Sequence, residues 1–462
     1  MKKVLTLLSF LVFATSGYSQ YIELDNYFIR KELKILAPEC FDAQDRLDTT
    51  CTKLQEIISL YASDDDLYYN YDEVYDLVFG EDGSFQSFDV NGLQYLANLE
   101  SLGLNFGYMN VYVEKKHLPN KIKDINASSW TYSEESTRLS LEIPESVLSV
   151  SLQGSGYQQG NPVSCKLPSQ LEVLEISGYN QIQGIMNTKV KKIISSGINV
   201  FIENFDEVPN TVEEIHFSYI LNDDFEEGFV PKLPQSLPSI KKITFDRVEF
   251  MQTTEPFSIS NYNTLEEISF TSSENYPALT YPENLKKITY NSCENQPCGT
   301  PNINLNFPEG LVSLNISNFP SMEPIQPIFP ENLQELTLSK INISVLTDLP
   351  STIKTLNISN NHFEILEAFP TQLENLNVSG NTNLKCLPTL PSSLKTINVS
   401  ATKITCIPNE TDKIKSTISL PLCPNPCGET PDLLSGIVFL DINKNGTFDN
   451  NFDRRIQGAF IQ

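Results

Sequence analysis

Near its C-terminus the chain reads D-I-N-K-N-G-T-F-D, with Asp441, Asn443, Asn445, the Thr447 carbonyl and Asp449 at alternate positions. Hard cations such as calcium are bound by oxygen donors spaced in this way, and Gly446 permits the sharp turn such a loop needs. Phe452 stands where an acidic residue would close the site, and Asp453 follows by one. The segment is a candidate calcium loop; the same Asn-Gly pair also suits a plain hairpin turn. No helical pattern follows it, which argues against a helix–loop–helix calcium motif.

Thiol chemistry is the second candidate. Nine cysteines fit an oxidising compartment. Cys40 and Cys51 flank a short loop and are expected to pair, as are Cys293 and Cys298 around E-N-Q-P. Cys386 and Cys406 occupy the same motif position in successive repeats, K-C-L-P and T-C-I-P, so stacking would bring them within bridging distance. Cys423 and Cys427 lie in the proline-rich exit, and either could reach Cys406 instead. Cys165 is left over. It has no histidine nearby to lower its pKa and reads as a small buried residue or a free thiol.

Catalysis finds no foothold. The three histidines are His117, His216 and His362, and there is no H-E-x-x-H, G-x-S-x-G or phosphate loop. The chain is expected not to be an enzyme. A formal net charge of −26 argues against nucleic acid and anionic membrane partners. Residues 1–19 read as a signal peptide: Lys2 and Lys3, an apolar run from Val4 to Ala14, then Gly17 and Ser19 before Gln20. That run is too short to span a bilayer, and no later segment is long enough. The protein is expected to be secreted or at the cell surface.

The elements that position these groups repeat. The pattern L-x-x-L-x-L, with Ile, Val, Phe or Tyr allowed, recurs from Leu99-Leu102-Leu104 to Leu394-Ile397-Val399. Copies between them include Val212-Ile215-Phe217, Leu333-Leu336-Leu338 and Leu373-Leu376-Val378; a degenerate one lies near Val190-Ile193. The alternation L-x-L marks a short strand with one buried face. One copy buries about five apolar side chains, too few to offset the ordering of about twenty residues. Copies must therefore stack on one another.

These repeats resemble the leucine-rich repeat family, and copies such as L-P-S-T-I-K-T-L-N-I-S-N-N resemble its short bacterial subclass. The resemblance implies a horseshoe solenoid with a parallel β-sheet on the concave face and mostly extended return limbs. The consensus asparagine is present at Asn361 and Asn381, while Tyr179, Phe319, Ile341 and Thr402 replace it elsewhere. Residues 93–420 form the array, of about 14–15 turns. Residues 20–92 are expected to be a small cap, with one helix in L-D-N-Y-F-I-R-K-E-L-K-I-L and a second around C-T-K-L-Q-E-I-I-S-L-Y-A-S. The side chains between the buried anchors face the concave side. Candidate binding residues there are Glu175, His216, Thr244, Asn315, Thr337, Asn357, Asn377 and Asn398. They suit an extracellular protein or a surface glycan; equally, they suit a solvated strand face whose residues bond one another. Aromatic anchors are nearly absent from these positions.

After a Pro/Cys linker at 421–435, residues 436–462 resemble the opening of the SD-repeat B-like, prealbumin-type domains of bacterial surface adhesins. That implies a β-sandwich-type module, truncated here. The combination resembles secreted surface proteins of Bacteroidetes-type bacteria. It implies non-catalytic binding or adhesion; the alternatives are a targeting region of a larger secreted enzyme and a structural spacer.

Overall fold

The computed structural model describes residues 21–64, 87–107, 110–131, 139–156, 163–178, 180–197, 208–220, 233–250, 257–277, 279–292, 303–320, 322, 327–411, 413–414, 419–424, 439–440 and 454–455. The signal peptide, Cys293, Cys298, Cys427 and the calcium-loop ligands from Asp441 to Asp453 lie outside the described residues. Two compact units divide the chain, Met1–Met322 and Glu323–Gln462.

The first unit opens with one helix, Tyr27–Leu36. Asn26 caps it, its side-chain oxygen accepting from the Phe28 and Ile29 amides at 3.0 Å each. Phe28, Ile29 and Leu33 are buried, and the Phe28 ring meets Phe106 at 6.4 Å. A disulfide between Cys40 and Cys51 ties down the loop behind the helix, with Cα atoms 5.4 Å apart. The second expected helix does not form. Thr52–Glu56 is a short 3-10 turn, and Ser59–Ser63 is a strand. Its period-two burial, with Leu60 and Ala62 inside and Tyr61 outside, outweighs the helical propensity of the segment.

That strand begins a parallel sheet in chain order. It continues through Ser101–Asn105, Asp124–Thr131, Ser149–Gly156, Val173–Gly178, Lys192–Ser196 and Glu214–Ile220. Lys242–Val248, Glu267–Thr271, Lys287–Asn291 and Ser313–Ser317 follow. The expected anchors are the buried ones: Leu102, Ile125, Val150, Leu174, Ile193 and Ile215 all face the core. Four successive turns place an aromatic ring at the last anchor, and the rings stack. Phe217 meets Phe245 at 5.2 Å, Phe245 meets Phe270 at 4.9 Å and Phe270 meets Tyr290 at 5.0 Å, all within 12° of parallel.

The return limbs of this unit up to Gln183 are more regular than extended loops. Ser87–Asp89, Asn110–Val113, Leu139–Glu142, Val163–Lys166 and Asn180–Gln183 pair in parallel as a second sheet. Their Val-, Leu- and Cys-bearing alternation buries one face, so these turns are strand–strand rather than strand–coil.

The second unit stacks Glu335–Ser339, Thr355–Asn357, Asn375–Asn377 and Thr396–Asn398 in parallel. Leu336, Leu356, Leu376 and Ile397 stand in register, the first three buried. Each strand is entered through the same turn: the Leu333, Ile353, Leu373 and Leu394 amides donate to the carbonyls of Pro330, Pro350, Pro370 and Pro391. Each is left through a left-handed residue, Lys340, Asn360, Gly380 and Ala401 in turn. Buried asparagines satisfy the loop backbone beyond it. Asn361 Nδ2 donates to the Leu338 and Ile358 carbonyls at 2.7 and 3.1 Å, and its oxygen accepts from the Ile341 amide at 3.0 Å. Asn381 repeats this toward Ile358 and Val378, at 2.9 and 2.8 Å. Where the consensus asparagine is missing, Thr402 bonds the Val399 carbonyl through its hydroxyl.

The Cys386–Cys406 bridge does not form. Cys406 is bonded to Cys423, their Cα atoms 5.0 Å apart, and Cys386 is in a disulfide of its own. The exit strand decides this: Ile407 and Leu422 form a parallel bridge, and the Cys423 amide donates to the Ile407 carbonyl at 2.8 Å. Farther on, Phe439–Leu440 pairs antiparallel with Arg454–Arg455.

Candidate binding face

One face of each sheet packs on the core, and side chains of the other alternate with it. Parallel sheets are ordinarily covered on both faces, yet here the alternate residues stay partly exposed in strand after strand. In the first unit they form a column in register: Glu175, Ile194, His216, Thr244, Ser269, Thr289 and Asn315. In the second unit Thr337, Asn357, Asn377 and Asn398 form another. The stacking thus brings the expected binding residues into two columns, one per unit.

Part of their hydrogen-bonding capacity is already used. The Asn357, Asn377 and Asn398 oxygens accept from the amides of Ser359, Ser379 and Ser400 at 3.2, 3.1 and 3.1 Å. These bonds close the strand ends through the carboxamide oxygens. His216 is half-buried, and its Nε2 has no partner among the described residues. Burial holds its imidazole below the usual 6.5; Asp246 opposes this, and Lys192 and Lys242 add to it.

Beside the column runs a charge ladder. Successive turns carry Lys191-Lys192, Glu213-Glu214, Lys241-Lys242, Glu266-Glu267 and Lys286-Lys287 just before the second anchor. Stacking places the Lys241-Lys242 pair between two acidic ones and sets each of the other basic pairs beside one. Lys241 meets Glu213 at 2.6 Å, Lys286 meets Glu266 at 2.8 Å, and Glu267 receives both Lys242 at 3.2 Å and Lys287 at 3.1 Å. A shallow groove of about 530 Å³ follows the outer row, lined by Glu213, Lys241, Glu266 and Lys286 with Ser239 and Asn263.

Tyr61 is the open-face residue that the repeat pattern misses. Its strand is announced only by Ile57, Leu60 and Ala62, with an alanine at the last anchor. Tyr61 is 56% exposed. Its register partner is Gly103.

Elsewhere, Cys165 is a buried free thiol on the outer sheet, and burial pushes it up to about 12, away from nucleophilic chemistry. His117 meets Asp89 at 2.6 Å at the end of the outer sheet. Among the described residues no helix is long and apolar enough to cross a membrane.

No family model matches the chain, and no curated protein matches it. Among solved structures it is similar to CroV588, a circular leucine-rich repeat protein, at 18% identity and a TM-score of 0.42 over 70% of this chain. It covers 53% of that protein, so the chain spans about half the length of CroV588. It is also similar to YopM, a leucine-rich effector protein from Yersinia pestis, at 20% identity and a TM-score of 0.35, covering 72% of this chain and 88% of that one. YopM from Yersinia enterocolitica WA-314 aligns at 17% identity and a TM-score of 0.23, covering 73% of this chain and 91% of its own. These structural neighbours are leucine-rich repeat proteins. The chain's own fold is a parallel β-solenoid of leucine-rich repeat type with few helices.

Proposed function

We propose that the protein is a secreted or cell-surface binding module, non-catalytic, whose open sheet face recognises an extracellular partner. One observation carries this reading: a parallel sheet that buries its first face leaves its second uncovered, lined by amides, hydroxyls and charges in register. A repeating surface of this kind spreads many modest contacts over a broad area. Disulfides at Cys40–Cys51 and Cys406–Cys423 accord with an oxidising compartment. Introducing lysine at Asn357, Asn377 and Asn398 together should abolish capture of extracellular proteins by the purified chain while leaving its circular dichroism unchanged. Capture that survives the triple substitution would favour the spacer reading.

The calcium loop belongs to the same reading as a stiffening joint. The antiparallel pair Phe439–Leu440 with Arg454–Arg455 brackets the segment from Asp441 to Asp453, which suits a loop closed by an ion. Calorimetric titration with calcium tests it; Asp441→Asn with Asp449→Asn should remove the binding heat.

A further inference from the structure

We infer that Tyr61, lying across Gly103, is a stacking platform for a carbohydrate at the first turn of the sheet. This rests on the open face being a binding surface and names its ligand class at one end.

The two residues explain each other. A Cβ at Gly103 would stand 2.5 Å from Tyr61 Cδ2, 3.3 Å from Cε2 and 3.4 Å from Cγ. The tyrosine ring therefore occupies the space that any other residue at that position would fill. No left-handed φ demands glycine there: the left-handed glycines include Gly92, Gly178 and Gly184 but not Gly103. The glycine serves the ring, letting it lean over the neighbouring strand instead of standing upright.

A tyrosine used only to cover backbone would be expected to bury itself. This one keeps more than half of its surface in solvent. On the same face the next strand presents exposed Asp124 and Asn126, in register with Ser101 and Gly103. Asn126 is two strand spacings from Tyr61, about 10 Å. A pyranose offers an apolar C–H face to a flat ring and hydroxyls at its edge to a carboxylate and an amide, which is the chemistry set side by side here. A protein hot spot instead seats its aromatic anchor in a walled, desolvated pocket; Tyr61 has polar Ser59, Ser63 and Ser101 around it.

Saturation-transfer NMR on the full chain with cellohexaose and with chitohexaose tests the assignment. At least one of them should receive saturation on its ring C–H protons. Tyr61→Phe should keep that binding, while Tyr61→Leu, which still covers Gly103 but has no flat face, should weaken it at least tenfold. Asn126→Ala, at an exposed position, should weaken it several-fold. Binding of neither hexasaccharide, or binding unchanged in Tyr61→Leu, would overturn the inference. Either result leaves the open-face reading standing if lysine at Asn357, Asn377 and Asn398 still abolishes partner capture.

Discussion

Gly178 lies against Gly154 so closely that a Cβ on it would stand 1.5 Å from the Gly154 carbonyl oxygen. Its φ of +69° is left-handed as well. Two turns approach here because neither carries a side chain at the strand exit. Gly178→Ala should cost about 1–3 kcal/mol from the backbone conformation alone, with the clash adding to it. Urea unfolding followed by hydrogen exchange in Val173–Gly178 reads this directly. An unchanged midpoint would contradict the packing described.

The stacked rings predict a steep core penalty. Phe245 sits between Phe217 and Phe270 and touches Phe250 edge-on at 5.1 Å. Phe245→Ala should destabilise the first unit by about 3–5 kcal/mol. Phe245→Leu, which keeps most of the apolar volume but not the stack, should lose less. Near-UV circular dichroism should report the loss of ring order in both.

Asn381 is fully buried, and its amide satisfies two carbonyls. Asn381→Ala removes the donor to the Val378 carbonyl and the acceptor of the Phe363 amide, which reaches the Asn381 oxygen at 3.2 Å, while the Ile358 carbonyl keeps its bond from Asn361. Each buried group left without a partner costs about 1–3 kcal/mol. The substitution should accelerate amide exchange at Phe363 well before it affects Tyr27–Leu36.

Charge order along the ladder should show as salt dependence. Lys241→Glu with Lys242→Glu places like charges across three successive turns, from Glu213 to Glu267. Exposed pairs contribute only about 0.2–1 kcal/mol each, so the loss should be modest at physiological salt and shrink further in concentrated sodium chloride. At Glu267, burial pushes the carboxyl up, but hydrogen bonds from Lys287 and Lys242 outweigh it and hold the pKa below 4.5. A carboxylate held low stabilises the fold at neutral pH and loses that contribution as pH falls below this value. Glu267→Gln should flatten the acid limb of the thermal-stability profile.

His216 has the opposite charge sense but the same direction of pH dependence. Burial lowers its pKa below 6.5, so the unfolded chain takes up a proton before the folded one does. Stability should therefore fall as pH drops through 6.5 and level off below the folded pKa. Thermal melts at stepped pH should show this slope, and His216→Asn should remove it.

How far these features can be read from residues alone differs by element. Leu336, Leu356 and Leu376 are spaced so that only stacking buries them, and they do align. The strand at Ser59–Ser63 was hidden because Ala62 stands at an anchor and the preceding residues carry helical propensity. The outer sheet was hidden for another reason: its strands are only three or four residues long and gain their pairing from neighbours some twenty residues away. Likewise Ser273, at the asparagine position of its turn, accepts from the Val248 amide at 3.1 Å, a substitution no pattern match would score.

By itself the sequence determined the period, the buried face and the need to stack, because alternation and repeat length are local properties of the chain. The tertiary structure alone decided which cysteine reached Cys406, how the paired charges interlock and which glycine an aromatic ring leans toward. Each of these depends on what the adjacent turn brings within a few ångströms, and that distance is set by packing rather than by spacing along the chain.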